Sequence, residues 1–107
     1  MCGKTLNQIG QHAQEINEKN GWGIRPWEAA EDARSIASCI ALIHSEASEA
    51  LEAYRNNDKR QFAEELADII IRTVSLADFL KIDIDKEVAT KLEKNRTRGF
   101  KHGGKRV

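Results

Sequence analysis

Apolar side chains recur along this chain every three or four residues, which is the period of an amphipathic α-helix. The first such segment begins after Thr5, which with Gln8 has the spacing of an N-terminal capping box. The segment stops at Asn20 and Gly21, residue types that end helices. A short amphipathic helix is therefore predicted between Thr5 and Asn20.

The second predicted helix is the longest. Pro26 is placed to open it, because proline is favoured in the first turn of a helix. No breaking residue follows until the turn-forming segment 56–58, so the helix runs to about Tyr54 and would reach ~40 Å. Its predicted core face carries Ile36, Ile40, Ile43, Ala47 and Ala50.

The third and fourth predicted helices each begin at an aspartate. Asp58, with Gln61 three residues later, caps a third helix that reaches about residue 80. Asp83 caps a fourth helix over residues 84–98. The predicted core face of the third helix carries Phe62, Leu66, Ile69, Ile70, Thr73 and Ala77.

The fourth helix holds Asp85 and Glu87 in its first turn, where the helix dipole favours anions. No segment of the chain alternates with the period of a strand. The predicted fold class is all-α, a four-helix bundle. One domain is expected over residues 1–98, followed by a basic Gly/Lys-rich tail over residues 99–107.

Two acidic motifs stand at matching places on the second and third helices. Glu46 and Glu49 are three residues apart, as are Glu65 and Asp68, so each pair shares a helix face. Both pairs border the predicted core faces. A short loop joins the two helices, which makes them antiparallel neighbours and brings the four carboxylates together. Four like charges repel unless something neutralises them.

Oxygen ligands without His or Cys favour hard cations such as Mg²⁺, with Mn²⁺ as a substitute. These ions bind through carboxylates together with the phosphates of a substrate, so the motifs predict a metal-bridged phosphate substrate. A di-iron bundle is disfavoured because it needs Glu three residues before His, and those positions hold Ile9, Ala41 and Gly99. The alternative is that the acids are ordinary surface groups, solvated or paired with Arg55 and Arg72.

A second candidate group lies on the fourth helix. Lys91, Asn95 and Arg98 follow at intervals of four and three residues, so one face presents an ammonium, an amide and a guanidinium. This combination suits an oligophosphate. The alternative is that basic residues near a helix C-terminus interact favourably with the helix dipole.

Trp22 and Trp27 flank the loop before the second helix and are candidates for stacking on a nucleobase, with His12 as a weaker candidate. Large aromatic side chains also fill cores and interfaces, which is the alternative for both tryptophans. No P-loop, Gly-rich dinucleotide motif or nucleophile elbow is present in the sequence, so a covalent mechanism is disfavoured.

Charge is distributed unevenly along the chain. The 17 basic and 17 acidic side chains cancel overall, but all 17 acids lie in residues 1–93, and residues 94–107 carry six basic side chains and no acid. Such a tail binds an anion, which is nucleic acid, the acidic body of a neighbouring subunit or a phosphorylated substrate. Nucleic acid is not the expected partner.

At 107 residues the chain predicts one domain, and so short a chain buries only about two thirds of its unfolded surface. Association of subunits is therefore expected. No apolar run approaches the roughly 20 residues that span a bilayer, and the start of the chain lacks the apolar region of a secretion signal. No membrane association and a cytoplasmic location are expected.

Three segments together resemble one family. HSEASEALEAYR, EELADIIIRTVSLAD and KLEKNRTRGFKHGGK look like parts of the MazG-like all-α nucleoside triphosphate pyrophosphohydrolases, and the likeness extends from about residue 9. The compact form with an HGGK tail resembles single-domain members of bacteria and phages. Many members have two consecutive acids at the start of the first motif, whereas here Ser45 precedes Glu46, which leaves the number of metal ions open.

The resemblance implies a helical bundle that pairs into dimers or tetramers. It also implies Mg²⁺-dependent cleavage of a nucleoside triphosphate into monophosphate and pyrophosphate, in nucleotide-pool control or house-cleaning. The residues that match the family pattern are Glu46, Glu49, Glu65 and Asp68 as metal-binding and catalytic groups, and Lys91, Asn95 and Arg98 as phosphate-binding groups. The loop around Trp22 would lie near the base. The preferred base and sugar, and the group that acts as general base, are left open.

Two other functions remain alternatives. An oligomeric helical interaction module would use the basic tail to bind nucleic acid or an acidic partner, with the carboxylates merely solvated. A nucleotide sensor would keep the binding site and lack turnover. Salt-sensitive nucleic-acid binding without hydrolysis would indicate the first, and tight nucleotide binding without product the second.

Overall fold

The computed structural model describes residues 3–21 and 36–97 and shows four helices. They are α1 (Leu6–Lys19), α2 (Ile36–Arg55), α3 (Lys59–Phe79) and α4 (Ile84–Thr97). No strand occurs in these two ranges. The predicted all-α fold is confirmed. The beginning of the predicted second helix at Pro26, and the tail over residues 99–107, lie outside the described residues.

Three of the four predicted helix starts are confirmed atom by atom. Thr5 Oγ1 accepts from the Gln8 amide at 3.1 Å, and Gln8 Oε1 accepts from the Thr5 amide at 2.9 Å, which is a complete capping box. Asp58 Oδ1 accepts from the Gln61 amide at 3.0 Å. Asp83 Oδ1 accepts from the Lys86 amide at 3.1 Å. Each side chain satisfies an amide that would otherwise lack an intrahelical partner.

Helix α3 lies at the centre of the domain, with α2 along one side and α1 along another. Helix α4 makes a small contact with α1 and another with α3, and the backbones of α2 and α4 do not approach each other. None of the residues of α4 is buried. The two extensive helix contacts are therefore the one between α2 and α3, which a short turn joins, and the one between α1 and α3.

The buried core consists of small side chains. The buried hydrophobic residues in the described ranges are Ala13, Ala50, Ala53, Val74 and Ala77. The predicted core faces are wrong in part, because several of their larger members are about half exposed, namely Ile40 (46%), Leu66 (44%) and Ile70 (51%). The alanines let the helices approach closely, and the buried residues of α2 and α3 also include Glu46 and Glu65.

Helices α1 and α3 approach so closely that a glycine is needed between them. A Cβ atom at Gly10 would lie 2.3 Å from the carbonyl oxygen of Val74. One turn further along, Ser75 donates to Gln14 Oε1 at 2.9 Å and accepts from Asn17 Nδ2 at 3.2 Å. Ser75 is buried, so these bonds satisfy a hydroxyl that would otherwise be costly to desolvate.

The starts of α1 and α4 are joined by a reciprocal hydrogen-bond network. The Asp85 carboxylate accepts from the amides of Leu6 and Asn7, both at 3.0 Å. The Asn7 side chain accepts from the Ile84 amide at 3.0 Å and donates to Asp83 at 2.8 Å. The Asn7 amide, aided by the backbone of Lys86, holds the pKa of Asp83 below its usual range. Asp85 was predicted to interact with the dipole of its own helix, and it also caps α1.

Replacing Asp85 tests this junction. We expect Asp85→Asn to lower the free energy of unfolding by about 1–2 kcal/mol, because one acceptor and the charge at the start of α1 are lost. Chemical denaturation with circular dichroism measures the change. Glu87→Gln, in the same turn and exposed, is the matched control and should shift stability by less than about 0.5 kcal/mol. Equal effects of both substitutions would contradict the capping role.

Candidate functional site

Three of the four predicted carboxylates meet where α2 crosses α3. One oxygen from each of Glu46, Glu49 and Glu65 lies within 4.8 Å of the others. Glu46 and Glu65 are only 8% and 9% exposed, whereas Glu49 is exposed. The prediction that these acids border the core face is wrong for Glu46 and Glu65, which lie in the buried contact itself.

The buried carboxylates have few hydrogen-bond partners from the protein. Arg72 Nε lies 3.4 Å from Glu46 Oε1, and Gln61 Nε2 donates to Glu65 Oε2 at 3.4 Å. Glu65 Oε1 and Arg72 Nε are buried, and neither has a hydrogen bond. The Arg72 guanidinium therefore pairs with Glu46 alone among these acids, and the buried oxygen Glu65 Oε1 finds no donor in the described part of the chain.

The crowding of acids changes the ionisation of Glu46. A hydrogen bond with the Glu65 carboxyl is the largest of the effects that raise the pKa of Glu46 to about 7, and burial is the next. The charges of Glu49 and Asp68 also raise this pKa, while the Arg72 guanidinium lowers it. The Glu46 carboxyl therefore holds its proton to a higher pH than an ordinary glutamate does.

Asp68 lies at the border of the group formed by Glu46, Glu49 and Glu65. It is exposed one turn after Glu65, and its carboxylate is not among the three that lie within 4.8 Å of one another. Its charge is nevertheless close enough to raise the pKa of Glu46. On their helices Glu49 and Asp68 both follow a buried glutamate by three residues, so the exposed acids line the open side of the buried pair.

The stability of the metal-free protein should depend on the pKa of Glu46. The folded chain binds this proton more tightly than the unfolded chain, so its stabilising effect is complete below the ordinary pKa of 4.5. It is lost as the pH rises towards about 7. We expect the melting temperature in a chelator to fall across this window, and Glu46→Gln to flatten the fall. If the melting temperature of Glu46→Gln fell with pH as steeply as that of the wild type, Glu46 would not be the group responsible.

The predicted phosphate-binding residues lie apart from the carboxylates on α2. Lys91 and Asn95 are exposed on one face of α4, and the backbone of this helix does not approach α2. Arg98 lies outside the described residues. The structure therefore brings neither Lys91 nor Asn95 into contact with Glu46 or Glu49.

The candidate base-binding residues are placed only in part. His12 lies on the outer face of α1, 3.9 Å from Glu15, at a surface depression of about 250 Å³ that it shares with Lys4, Gln8, Gln11 and Glu15. It is not brought to the carboxylates. Trp22 and Trp27 lie outside the described residues.

Two site residues were not singled out from the sequence as parts of the site. Gln61 precedes Glu65 by four residues and Arg72 follows it by seven, and both spacings place side chains on the face that carries Glu65. Arg72 had been considered only as a partner that would make the acids ordinary. Arg55, the other such partner, instead pairs with Glu52 at 3.6 Å.

No helix in the described ranges has both the length and the apolar character needed to cross a membrane. Residues 34–102 match a family model described as the MazG nucleotide pyrophosphohydrolase domain. The match includes both acidic motifs and the whole of α4. Comparison with curated proteins and with solved structures gave no significant match.

Proposed function

Because the chain belongs to the MazG nucleotide pyrophosphohydrolase family, we propose that it is a Mg²⁺-dependent enzyme that cleaves a nucleoside or deoxynucleoside triphosphate into the monophosphate and pyrophosphate. The observation that carries this proposal is the acidic group at the α2–α3 contact, in which oxygens of Glu46, Glu49 and Glu65 lie within 4.8 Å of one another. A nucleotide-pool or house-cleaning role in the cytoplasm, performed by a homo-oligomer, is part of the proposal.

The donor set fits a hard divalent cation. All the donors are carboxylate oxygens, which suit Mg²⁺ and, as a substitute, Mn²⁺. Glu65 Oε1 is buried without a hydrogen bond, and the pKa of Glu46 is raised by the neighbouring acids, so the group lacks positive charge. Glu46, Glu49 and Glu65 would hold the ion, with Asp68 completing the group from its exposed border.

When bound, Mg²⁺ would neutralise the triphosphate and polarise the phosphoryl group that is attacked. The buried pair Glu46 and Glu65 fixes the position of the site, because both side chains are held between two packed helices. Glu49 and Asp68 face solvent, where the triphosphate arrives. One of these exposed carboxylates takes the proton of the attacking water.

In the reaction, the water oxygen bonds to the α-phosphorus and the bond from that phosphorus to the bridging oxygen breaks. Pyrophosphate leaves with the bridging oxygen and its developing charge. Lys91 and Asn95, together with Arg98, would bind the leaving phosphates, since charge-assisted hydrogen bonds strengthen as that charge grows. The substrate would then bridge α4 and the acidic group on α2 and α3. In the described chain α4 contacts α3, and its backbone does not approach α2.

Product analysis tests the proposal. The purified protein is incubated with Mg²⁺ and a panel of ribo- and deoxynucleoside triphosphates, with a chelator as the control. We expect monophosphate and pyrophosphate in equal amounts from at least one substrate, and none with the chelator. Diphosphate and orthophosphate would contradict the bond assignment. Tight Mg²⁺-dependent nucleotide binding without product would indicate a sensor, and salt-sensitive nucleic-acid binding alone an interaction module.

A further inference from the structure

The ion pair between Arg72 and Glu46 differs from the other ion pairs of the described residues because it joins two helices. Arg72 Nε on α3 lies 3.4 Å from Glu46 Oε1 on α2. The other ion pairs within residues 3–21 and 36–97 each join two residues of one helix, three or four positions apart. Arg72 therefore brings a positive charge from α3 to a buried carboxylate of α2.

This pair is held by charge and not by a hydrogen bond. Arg72 Nε is buried and has no hydrogen bond, although Glu46 Oε1 is nearby. A guanidinium is bound most strongly when its N–H groups donate parallel hydrogen bonds to the oxygens of a carboxylate or a phosphate. A buried N–H group without an acceptor is costly. Glu46 therefore balances the charge of Arg72 and leaves its Nε–H group unsatisfied.

Arg72 also lies at the open side of the acidic group. Counted at about 100° per residue around α3, its position falls between those of Glu65 and Asp68. Its side chain is 39% exposed, whereas Glu46 is buried. Since Arg72 Nε is buried, the exposed surface belongs to other atoms of the side chain. The arginine is therefore in contact with both the buried carboxylate and solvent, on the face of α3 that carries the exposed Asp68.

A divalent cation on Glu46 would be a second positive charge beside this guanidinium. In the metal-free chain the Arg72 charge already acts on Glu46, because it lowers the pKa of that carboxyl against the effect of the neighbouring acids. Two cations that share one partly buried carboxylate repel each other. A phosphate group removes this repulsion, because its oxygens can bind the metal ion and accept hydrogen bonds from the guanidinium together.

We propose that Arg72 is the resident counter-cation of the acidic group and exchanges Glu46 for a phosphate of the substrate when the metal ion binds. This inference rests on the proposed function, since it takes the carboxylates as metal ligands and a triphosphate as substrate. While the arginine pairs with Glu46, the site disfavours the free ion. A complex of the ion with a triphosphate supplies an anion for the displaced guanidinium, so that ion and nucleotide bind together.

Binding of a divalent ion without nucleotide tests the first half of the exchange. Mn²⁺ is the probe, and calorimetry above pH 7 gives its dissociation constant. We expect Arg72→Gln to lower this constant at least about 10-fold, because the competing charge is removed. Arg72→Lys keeps the charge and should stay within about threefold of the wild type. The matched control is Arg60→Gln, which removes an arginine that pairs with the exposed Glu64 on the same helix and should leave the constant unchanged.

Binding of a triphosphate analogue tests the second half. An analogue that cannot be cleaved between its α- and β-phosphates is titrated at saturating Mn²⁺. We expect Arg72→Gln to raise the dissociation constant of the analogue at least about 10-fold, because a phosphate loses its guanidinium partner. The two expected changes have opposite signs. An arginine that only held α2 and α3 together would, when removed, weaken the binding of ion and nucleotide alike.

Circular dichroism checks that each variant is folded. A measurement on the wild type covers the case in which Arg72→Gln unfolds the chain. The nuclear magnetic resonance signal of the Arg72 Nε–H group should shift when Mg²⁺ and the analogue are added together, because that group gains an acceptor. A signal that stays in place would overturn the exchange.

The outcomes separate this inference from the proposed function. Mn²⁺ binding that a folded Arg72→Gln leaves unchanged or weakens would overturn the exchange alone. So would an unchanged affinity for the analogue, or an effect of Arg60→Gln equal to that of Arg72→Gln. If neither the wild type nor Arg72→Gln bound Mn²⁺ or the analogue, and the wild type released no pyrophosphate, the proposed function would be overturned and the exchange with it.

Discussion

We expect Glu65→Gln to lower kcat/KM for triphosphate cleavage at least about 100-fold while the chain stays folded. The Glu65 carboxylate is buried beside Glu46, and its Oε1 has no hydrogen bond, so its charge is available to a cation. A glutamine of the same shape keeps the contact between α2 and α3 and removes that charge. Pyrophosphate release at saturating Mg²⁺ measures the loss.

The same substitution should stabilise the metal-free protein. The side-chain amide that Glu65→Gln introduces can donate a hydrogen bond to an ionised Glu46, so the repulsion between the two acids is replaced by an attraction. The free energy of unfolding of the variant should be about 1.5 kcal/mol higher than that of the wild type in a chelator above pH 7. Adding Mg²⁺ should not stabilise the variant further. A variant that loses activity and gains stability identifies Glu65 as a functional charge, because replacing a merely structural residue would lower both activity and stability.

Glu64→Gln is the matched control for this experiment. Glu64 is the neighbouring glutamate on α3, exposed and 3.6 Å from Arg60. Removing an exposed ion pair of this kind should change activity and stability very little. Glu49→Gln and Asp68→Asn extend the test to the exposed acids. Full turnover in both at saturating Mg²⁺ would contradict the role of the acidic group.

The helix starts could be predicted from the sequence because they depend on residues three positions apart. Thr5 with Gln8 and Asp58 with Gln61 form their bonds within one turn, so spacing alone indicates them. The acidic group was predictable for the same reason, together with the short connection between two helices. The spacing of residues predicts which side chains share a helix face, and a short turn predicts that the two helices it joins are neighbours.

The buried face of each helix was less predictable. Sequence patterns assign the largest apolar residues to the core, and for α2 and α3 this assignment moved Glu46 and Glu65 to the edge. The structure instead buries the two acids and leaves Ile40 and Ile70 half exposed. Each of these helices has two faces that can pack. One face carries large apolar residues, and the adjacent face carries small residues beside a glutamate. Which of them meets the partner helix within one chain is a tertiary property.

Contacts between distant parts of the chain were also not predictable. Asp85 was expected at the start of α4, and it is there, but its carboxylate accepts from amides 78 and 79 residues earlier. No local pattern indicates which helix start a capping carboxylate will reach. Gly10 is another case, because a single glycine in a helical pattern indicates only a weaker helix.

Replacing Gly10 with alanine should therefore destabilise the folded chain strongly, although it adds only one methyl group to α1. We expect Gly10→Ala to lower the free energy of unfolding by about 3 kcal/mol. The new Cβ would lie 2.3 Å from the Val74 carbonyl oxygen and 2.9 Å from its carbon, and both are backbone atoms that cannot rotate away. Denaturant unfolding of the purified variant measures the change.

The cost extends beyond the clash. Moving α1 away from α3 to admit the methyl group would stretch the bonds of Ser75 to Gln14 and Asn17, leaving a buried hydroxyl unpaired. The intrinsic preference of helices for alanine opposes these losses by only about 1 kcal/mol. Gln11→Ala is the control, because Gln11 is exposed and its replacement gains helix preference without a clash. If Gly10→Ala instead stabilised the chain as a surface glycine replacement does, α1 would not lie against Val74, and the α1–α3 packing that surrounds it would need a different arrangement.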